Sequence, residues 1–499
     1  MSDFKRQHVI AAVARAFALI RGNLVAILVL LFVGSRGESS VIWWIGGGFV
    51  TLLVLGFMSW WRFRYKVEDG QLHIKRGLLV RQNLYLTRDR VQVIDVTAGI
   101  LQRMFGLVKI EIKTAASSSR EATIDAVTRE EADEISEMLK KENGKPEATD
   151  ESLKNNAQKD HKKKYYLPGK DLLIAASTSG SFGIALSVVG TVFSQIEPLL
   201  SENEMYEWIT SVIPSQTDTA FILSLIIALV VFAWLMSFFG TLFTYGDFQL
   251  TVRDDQIVIT RGIFEKKSIT IPFNRIQSIW INEGVFRQPF GYCSVHLESA
   301  GYGDERGSGS IVLFPLIKKS RLNWFLEQVV PEYQKTAPAI RPPIRALRRY
   351  IFRSVVVAVP VIAGLQFLFD ASAWIWMLML FAGFWGWLRY QDAAIGWDHQ
   401  FVMISNRFIS KSTAFVKKKR SQDLDLRQSR IQEIRDLITV KIHVASGDHG
   451  RSFHISDLDE DISEYLEKWI RKNQDSMSEE VIPQSGVVIP SWNLSLNGS

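Results

Sequence analysis

The chain has 499 residues, 47% of them hydrophobic and 22% charged, with a formal net charge of +6 and a mean hydropathy of +0.07. One cysteine, Cys293, excludes an internal disulfide framework and a cysteine-ligated metal site. So small a net charge excludes free nucleic acid as the default partner, and a positive hydropathy beside many charges implies apolar blocks separated from polar ones.

Crossing the hydrocarbon core of a membrane takes roughly 20 mostly apolar residues. In chain order the first such stretch must reach back to Phe17 and include Arg21, because the uncharged run Gly22 to Ser35 is short; an arginine near a helix end can snorkel. Ser39 to Trp61 carries no charge, nor do Leu172 to Ile196 and Thr219 to Gly246. Ser354 to Phe369 and Ala371 to Leu388 are separated by Asp370. Six spans in three hairpins are therefore expected, with Trp43–Trp44 and Trp60–Trp61 as interfacial belts of the second. Lys5, Arg6, Arg15, Arg62, Arg64, Lys66 and Arg389 flank the same ends, whereas the second connection holds Glu197, Glu202, Glu204, Glu207 and Asp218. Both termini and all polar blocks are thus expected in the cytoplasm of a multi-pass protein, the N-terminal segment being a retained anchor.

The polar blocks repeat. Advancing the first by 185 residues lays Arg76-Gly77-Leu78 on Arg261-Gly262-Ile263, Arg90-Val91-Gln92 on Arg275-Ile276-Gln277, and Phe105-Gly106-Leu107 on Phe290-Gly291-Tyr292. Advancing the second by 145 lays Arg275 on Arg420, Gln277 on Gln422 and Ile259 on Ile404, with Asp436 in place of the second glycine. Within a block, Asp69-Gly70 between alternating runs predicts a hairpin, and 91–96 and 108–112 predict strands. Thr128 and Glu131 form a capping box for a closing helix with Ala132, Ile135, Met138 and Leu139 at helical spacing. Comparable helices are predicted at Ser320–Val330 and Ile455–Ile470. Each block of roughly 80 residues suits a small barrel or sandwich plugged by a helix. The expected domains are hairpins at 1–61, 165–246 and 334–390, β-blocks at 62–141, 247–333 and 391–473, a polar linker at 142–164 and a tail at 474–499.

Helical hairpin, then Arg-Gly-Leu/Ile, then Arg-Val/Ile-Gln-x-Ile, then Gln102 to Leu107 (Arg287 to Tyr292 in the second block): in this order the chain resembles the YdbS-like family of bacterial pleckstrin-homology (PH) domain membrane proteins, in its long, three-repeat, YdbT-like form. The resemblance implies a multi-pass α-helical membrane protein with three α+β PH-like domains, each an antiparallel β half-barrel plus a C-terminal helix following a transmembrane hairpin. It also implies a complex with a short, single-unit homologous membrane protein.

No catalytic constellation emerges, and no cofactor or metal site is expected. His449 and His454 flank a turn, and the glycine-rich run Gly301 to Gly309 reads as a hairpin loop. Arg90, Gln92, Arg275, Gln277, Arg420 and Gln422 have two readings: a pocket for a lipid headgroup or peptide, or support for the fold, which repetition favours. Gly77, Gly106, Gly262 and Gly291 read as turn positions needing positive φ. Lys162, Lys163, Lys164, Arg345, Arg348 and Arg349 read as topology-setting charges or an anionic-lipid surface. The functional expectation is a non-enzymatic membrane scaffold whose PH-like modules bind anionic membrane lipids or partner proteins, with a role in envelope-stress or antimicrobial tolerance. The alternative is a transporter or channel component, against which stands the near-lack of charge in the apolar stretches.

Overall fold

The computed structural model describes residues 4–22, 39–68, 70–77, 80–88, 91–114, 122–139, 163–180, 187, 219–300, 310–333, 339–369, 373–446, 450–471 and 488–489. The chain forms two compact units, Met1–Pro272 and Phe273–Ser499.

The first unit opens with helices α1 (Ile10–Gly22) and α2 (Ser39–Arg62). Strands β1 (Arg64–Glu68), β2 (Gln71–Arg76) and β3 (Gln82–Thr87) follow as an antiparallel meander. Glu68 pairs with Gln71 across a two-residue turn, in which Gly70 takes φ +69°. Then come β4 (Val91–Ala98), the short helix α3 (Ile100–Met104), β5 (Leu107–Thr114), β6 (Ala122–Thr128) and α4 (Arg129–Met138). The Thr128 hydroxyl accepts the Glu131 N–H at 3.2 Å and caps α4, while the Glu131 carboxylate takes Lys5 Nζ at 3.0 Å. The two sheets close over one core. Tyr65, Leu72 and Ile74 meet Ile110, Ile112 and Ile124, and Ala132, Ile135 and Leu139 seal it from α4 and its end. Each such Leu or Ile contributes about 1.5–3 kcal/mol by leaving water. This is a PH-like arrangement of strands and closing helix.

The unit continues with β7 (Lys163–Tyr166), α5 (Gly169–Ser177), α6 (Thr219–Tyr245), β8 (Gln249–Val252), β9 (Gln256–Arg261) and β10 (Lys266–Pro272). Strand β10 does not end its sheet. It pairs antiparallel with β4 of the preceding block, giving the order β6-β5-β4-β10-β9-β8-β7.

The second unit repeats the scheme. It holds β11 (Ile276–Glu283), β12 (Tyr292–Ser299), β13 (Ser310–Lys318) and α7 (Lys319–Val329). After β14 (Ala339–Ile340) come α8 (Ile344–Phe369), α9 (Leu378–Asp392), β15 (Ala394–Trp397), β16 (Phe401–Arg407) and β17 (Lys411–Lys417). The last block ends with β18 (Ser421–Arg427), α10 (Arg430–Glu433), β19 (Leu437–Val444), β20 (Arg451–Asp459), α11 (Ile462–Arg471) and β21 (Val488–Ile489). One sheet has the order β13-β12-β11-β17-β16-β15-β14-β21, the other β18-β19-β20. The predicted helix at Ile455–Ile470 begins later than expected, because Ile455 still pairs with Val440 in the β19–β20 ladder. From Ile462 the helix buries Ile462, Leu466 and Trp469, one stripe at helical spacing.

The two block-to-block junctions share one register. Ile94 lies opposite Thr270, and Ile279 opposite Phe415. Advancing Ile94 by 185 gives Ile279, and advancing Thr270 by 145 gives Phe415, so the junctions superpose residue for residue. The segment before each helical hairpin repeats too: Lys5 bridges Tyr65, Tyr165 pairs with Leu250, and Ile340 with Ile395.

The expected multi-pass helical architecture is corrected by these elements. The described strands form four sheets, and among the described residues one helical segment, Ile227–Tyr245, is long and apolar enough to cross a membrane. α9 has only 15 residues. α8 has 26, but its first turns carry Arg345, Arg348, Arg349 and Arg353, and Ala346 and Tyr350 are buried in the core of the third block. The C-terminal end of α2 is likewise drawn onto the first block through buried Trp60. Much of the first and third expected spans, the second connection, Asp370 and Gly301 to Gly309 lie outside the described residues.

Two kinds of glycine carry the repeat. Gly262 takes φ +107°, and a Cβ there would stand 2.0 Å from the Glu265 carbonyl oxygen. Gly291 takes φ +68° with open space around it, and Asp436, at the same place in the third block, adopts φ +52°. Aspartate tolerates this left-handed conformation better than most residues. Gly262→Ala is accordingly expected to cost about 1–3 kcal/mol or more. Gly291→Asp should cost less than half as much, with thermal unfolding followed by tryptophan fluorescence as the measurement.

Candidate functional site

The Arg-x-Gln motifs sit at the junctions. Gln277 is buried on β11 and donates from Nε2 to the Arg275 carbonyl at 3.1 Å. Arg275, half-buried, ends the turn leading into β11, and Arg420 from the third block reaches the adjoining Asn274 carbonyl with Nη2 at 2.6 Å. What is described of these side chains therefore goes to backbone carbonyls around the β11–β17 seam. Gln422, at the matching place on β18, is exposed. Gln92 lies in β4 with its side chain outside the described residues, as Arg90 is altogether. Gly106 and Gly291 follow the short helical turns at φ +67° and +68°.

The basic residues divide. Lys163 and Lys164 begin β7 and are exposed; Lys162 lies outside the described residues. Arg345 faces the third block, donating to the Arg435 carbonyl at 2.9 Å, the Asp436 carbonyl at 3.1 Å and the Asp459 carboxylate at 3.0 Å. Arg349 lies 3.0 Å from the fully buried Asp457, which Arg353 also pairs with and Gln432 Nε2 reaches at 2.9 Å. Arg348 is exposed. In the first block Arg15 of α1 meets Asp125 of β6 at 2.5 Å and Ser59 Oγ at 3.0 Å. These pairs clamp helices to sheets. A buried carboxylate needs such partners, because an uncompensated charge in the interior costs several kcal/mol.

Glu298 is another buried carboxylate that sequence reasoning missed. It accepts Trp280 Nε1 at 2.7 Å, Ser446 Oγ at 2.5 Å and Arg451 Nη1 at 3.0 Å. The Arg451 guanidinium stands 4.1 Å from the Trp280 ring centroid. With its oxygens engaged from three sides, Glu298 locks the second block to the third and is poorly placed for proton transfer.

A further set of residues was missed: apolar side chains at matching loop tips. After β4, β11 and β18 stand Met104 and Phe105, Phe286 and Phe290, and Ile431 and Ile434; Phe290 is 71% and Ile434 81% exposed. Between the second and third strands of each block stand Val80, Ile263 with Phe264, and Phe408 with Ile409; Phe408 is 74% exposed. In the second and third blocks this loop lies against the helix that precedes the block. The Ile263 N–H donates to the Phe243 carbonyl at 3.0 Å, and Phe264 meets the Phe243 ring at 4.6 Å. Trp385 Nε1 donates to the Phe408 carbonyl at 3.0 Å. The two loop families touch at each junction. Arg103 reaches the Ile263 carbonyl at 2.5 Å, and Arg407 reaches Gln288 at 2.5 Å. The repeated Phe-Gly pair was the one legible signal for them.

Two outcomes test this geometry. Arg451→Ala leaves Glu298 buried without its cation and is expected to lower stability by about 3 kcal/mol, much of which Glu298→Gln in the same chain should restore. Burial, aided by the Glu283 carboxylate, pushes the Cys293 thiol up to about 12, so it stays protonated at neutral pH. N-ethylmaleimide is therefore expected to leave Cys293 unmodified in the folded protein and to label it after unfolding, read by mass spectrometry.

The family profile described as bacterial PH domain matches residues 9–143, 206–329 and 352–474. The UPF0699 transmembrane protein YdbT of Bacillus subtilis (strain 168) is 32% identical over 487 residues, covering 94% of this chain and 98% of that protein. The UPF0699 transmembrane protein YdbS of the same organism is 28% identical over 96 residues, covering 19% of this chain and 58% of that protein. No solved structure matches. With three matches spread over most of its length, each on a block whose strands recur at the same spacing, the chain belongs to the bacterial PH domain family.

Proposed function

We propose that this chain is a non-enzymatic, membrane-associated scaffold whose bacterial PH modules sit at the cytoplasmic face of a bacterial membrane and bind anionic lipid. The observation that carries the reading is the recurrence of exposed apolar loop tips in all three blocks. In the first unit one of these loops lies against the end of the apolar segment Ile227–Tyr245, where a crossing helix would leave the hydrocarbon. Aromatic and aliphatic side chains beside cations are what a headgroup region accepts. Arg62, Arg64, Arg81, Arg103, Lys164 and Arg348 are exposed cations that add to such binding, each by about 1 kcal/mol near an acidic leaflet. The buried carboxylates Glu298 and Asp457 support the non-enzymatic part, since both are held by arginines. Both relatives are named transmembrane proteins, and the shorter one matches over little more than one block, which supports a homologous single-module partner.

The test is depth quenching. Phe290→Cys, Phe408→Cys and Ile434→Cys, each labelled with bimane in the full chain reconstituted in vesicles, are expected to be quenched by brominated phosphatidylglycerol. Gln82→Cys serves as the reference that is not. Equal, weak quenching at all four sites overturns the reading.

A further inference from the structure

The repeat leaves two strand edges over. A junction joins the third strand of one block to the fourth strand of the block before it. β10 takes β4, and β17 takes β11. The remaining third strand is β3 and the remaining fourth strand is β18. Each stands at the margin of a three-stranded sheet, and no described strand pairs with its outer edge.

Burial records the difference. β11 is buried at nearly every position, and Val93, Ile94 and Asp95 of β4 are buried. β18 has no buried residue. Asp95 lies 3.5 Å from Lys267 of the strand that covers it, whereas its counterpart Asp425 meets Arg427 of its own strand. On the other side Gln82 and Asn83 are exposed and Tyr85 is 58% exposed. Such edges are templates for strand addition unless something occupies or blunts them.

We infer that β3 and β18 are complementary halves of a third junction, filled by a second copy of this chain. β18 of one copy takes β3 of the next, head to tail. The register is dictated by the two existing junctions. Ile94 opposite Thr270 and Ile279 opposite Phe415 translate into Leu424 opposite Tyr85, and Arg427 falls opposite Gln82. In that register Asp423 lies diagonal to Arg88, a favourable neighbour across strands. Antiparallel pairing of two β18 edges centred on Leu424 would instead bring Asp423 of each copy opposite Asp425 of the other, which is unfavourable. The contact is heterologous, so copies add in a row or close into a ring.

The experiment is oxidative cross-linking of the full chain in membranes of cells expressing it. Gln82→Cys and Arg427→Cys are made in separately tagged copies; both positions are exposed, and Cys293 is buried. Directly opposite residues place their Cα atoms within disulfide reach. The mixed copies are expected to form a heterodimer, and the double variant a ladder of linked species. Gln82→Cys with Gln422→Cys, displaced by five residues or roughly 17 Å, should yield about ten-fold less. A yield no higher than this off-register pair overturns the inference. So does an internal disulfide in monomers of the double variant, or capture of another protein in place of the second copy.

Discussion

Antiparallel pairing between the third strand of one block and the fourth strand of the preceding one is the contact on which the rest of this structure depends. A sheet edge exposes a row of N–H and C=O groups that must find partners. Here the blocks supply them to each other, and the identical register at both seams makes the supply a built-in feature of the repeat. The larger sheet of each compact unit therefore mixes strands from two sequence blocks. The burial of Gln277 and Asp95 follows from that pairing, because the covering strand removes the water their polar atoms would otherwise bind.

Charge does the second part of the work. Where a helix meets a sheet, arginine closes the contact. Arg15 does so on Asp125, and Arg349 and Arg353 do so on Asp457. Counted from Lys5 and Ile340, which pair alike before the two hairpins, Arg15 of α1 corresponds to Tyr350 of α8, whose hydroxyl donates to the Ser456 carbonyl at 2.7 Å. One contact thus recurs with different chemistry, as is expected when geometry is kept and individual polar groups are interchangeable so long as each is satisfied. Arginine suits the role because its planar fork meets several acceptors at once.

The loops behave differently from both. Their tips carry Phe290, Phe408 and Ile434 into solvent, although a soluble surface gains nothing from large apolar groups there. Their backbones are nevertheless tied down by hydrogen bonds to helix ends and to each other across the junctions. Placement of apolar tips beside cations is the property on which the proposed lipid-binding role rests.

Much of this protein was legible in its residues alone. Constant spacing identified three blocks, alternation identified four strands of the first block, and Asp69-Gly70 and Thr128 marked a turn and a cap. Those signals are local, and local geometry follows from side-chain period and turn chemistry. Residue patterns predicted six membrane spans where, among the described residues, one helical segment is long and apolar enough to cross, because a run of apolar residues does not say whether lipid or a neighbouring sheet covers it, as Trp60 and Tyr350 illustrate. Nor did they say where Arg345 and Arg349 point, or that Glu298 is buried. Strand order across blocks was likewise beyond them, since ladder hydrogen bonds are made by backbone groups common to every residue. Only the tertiary structure decided which edges meet, which carboxylates are shut away, and which junction strands have no partner among the described residues.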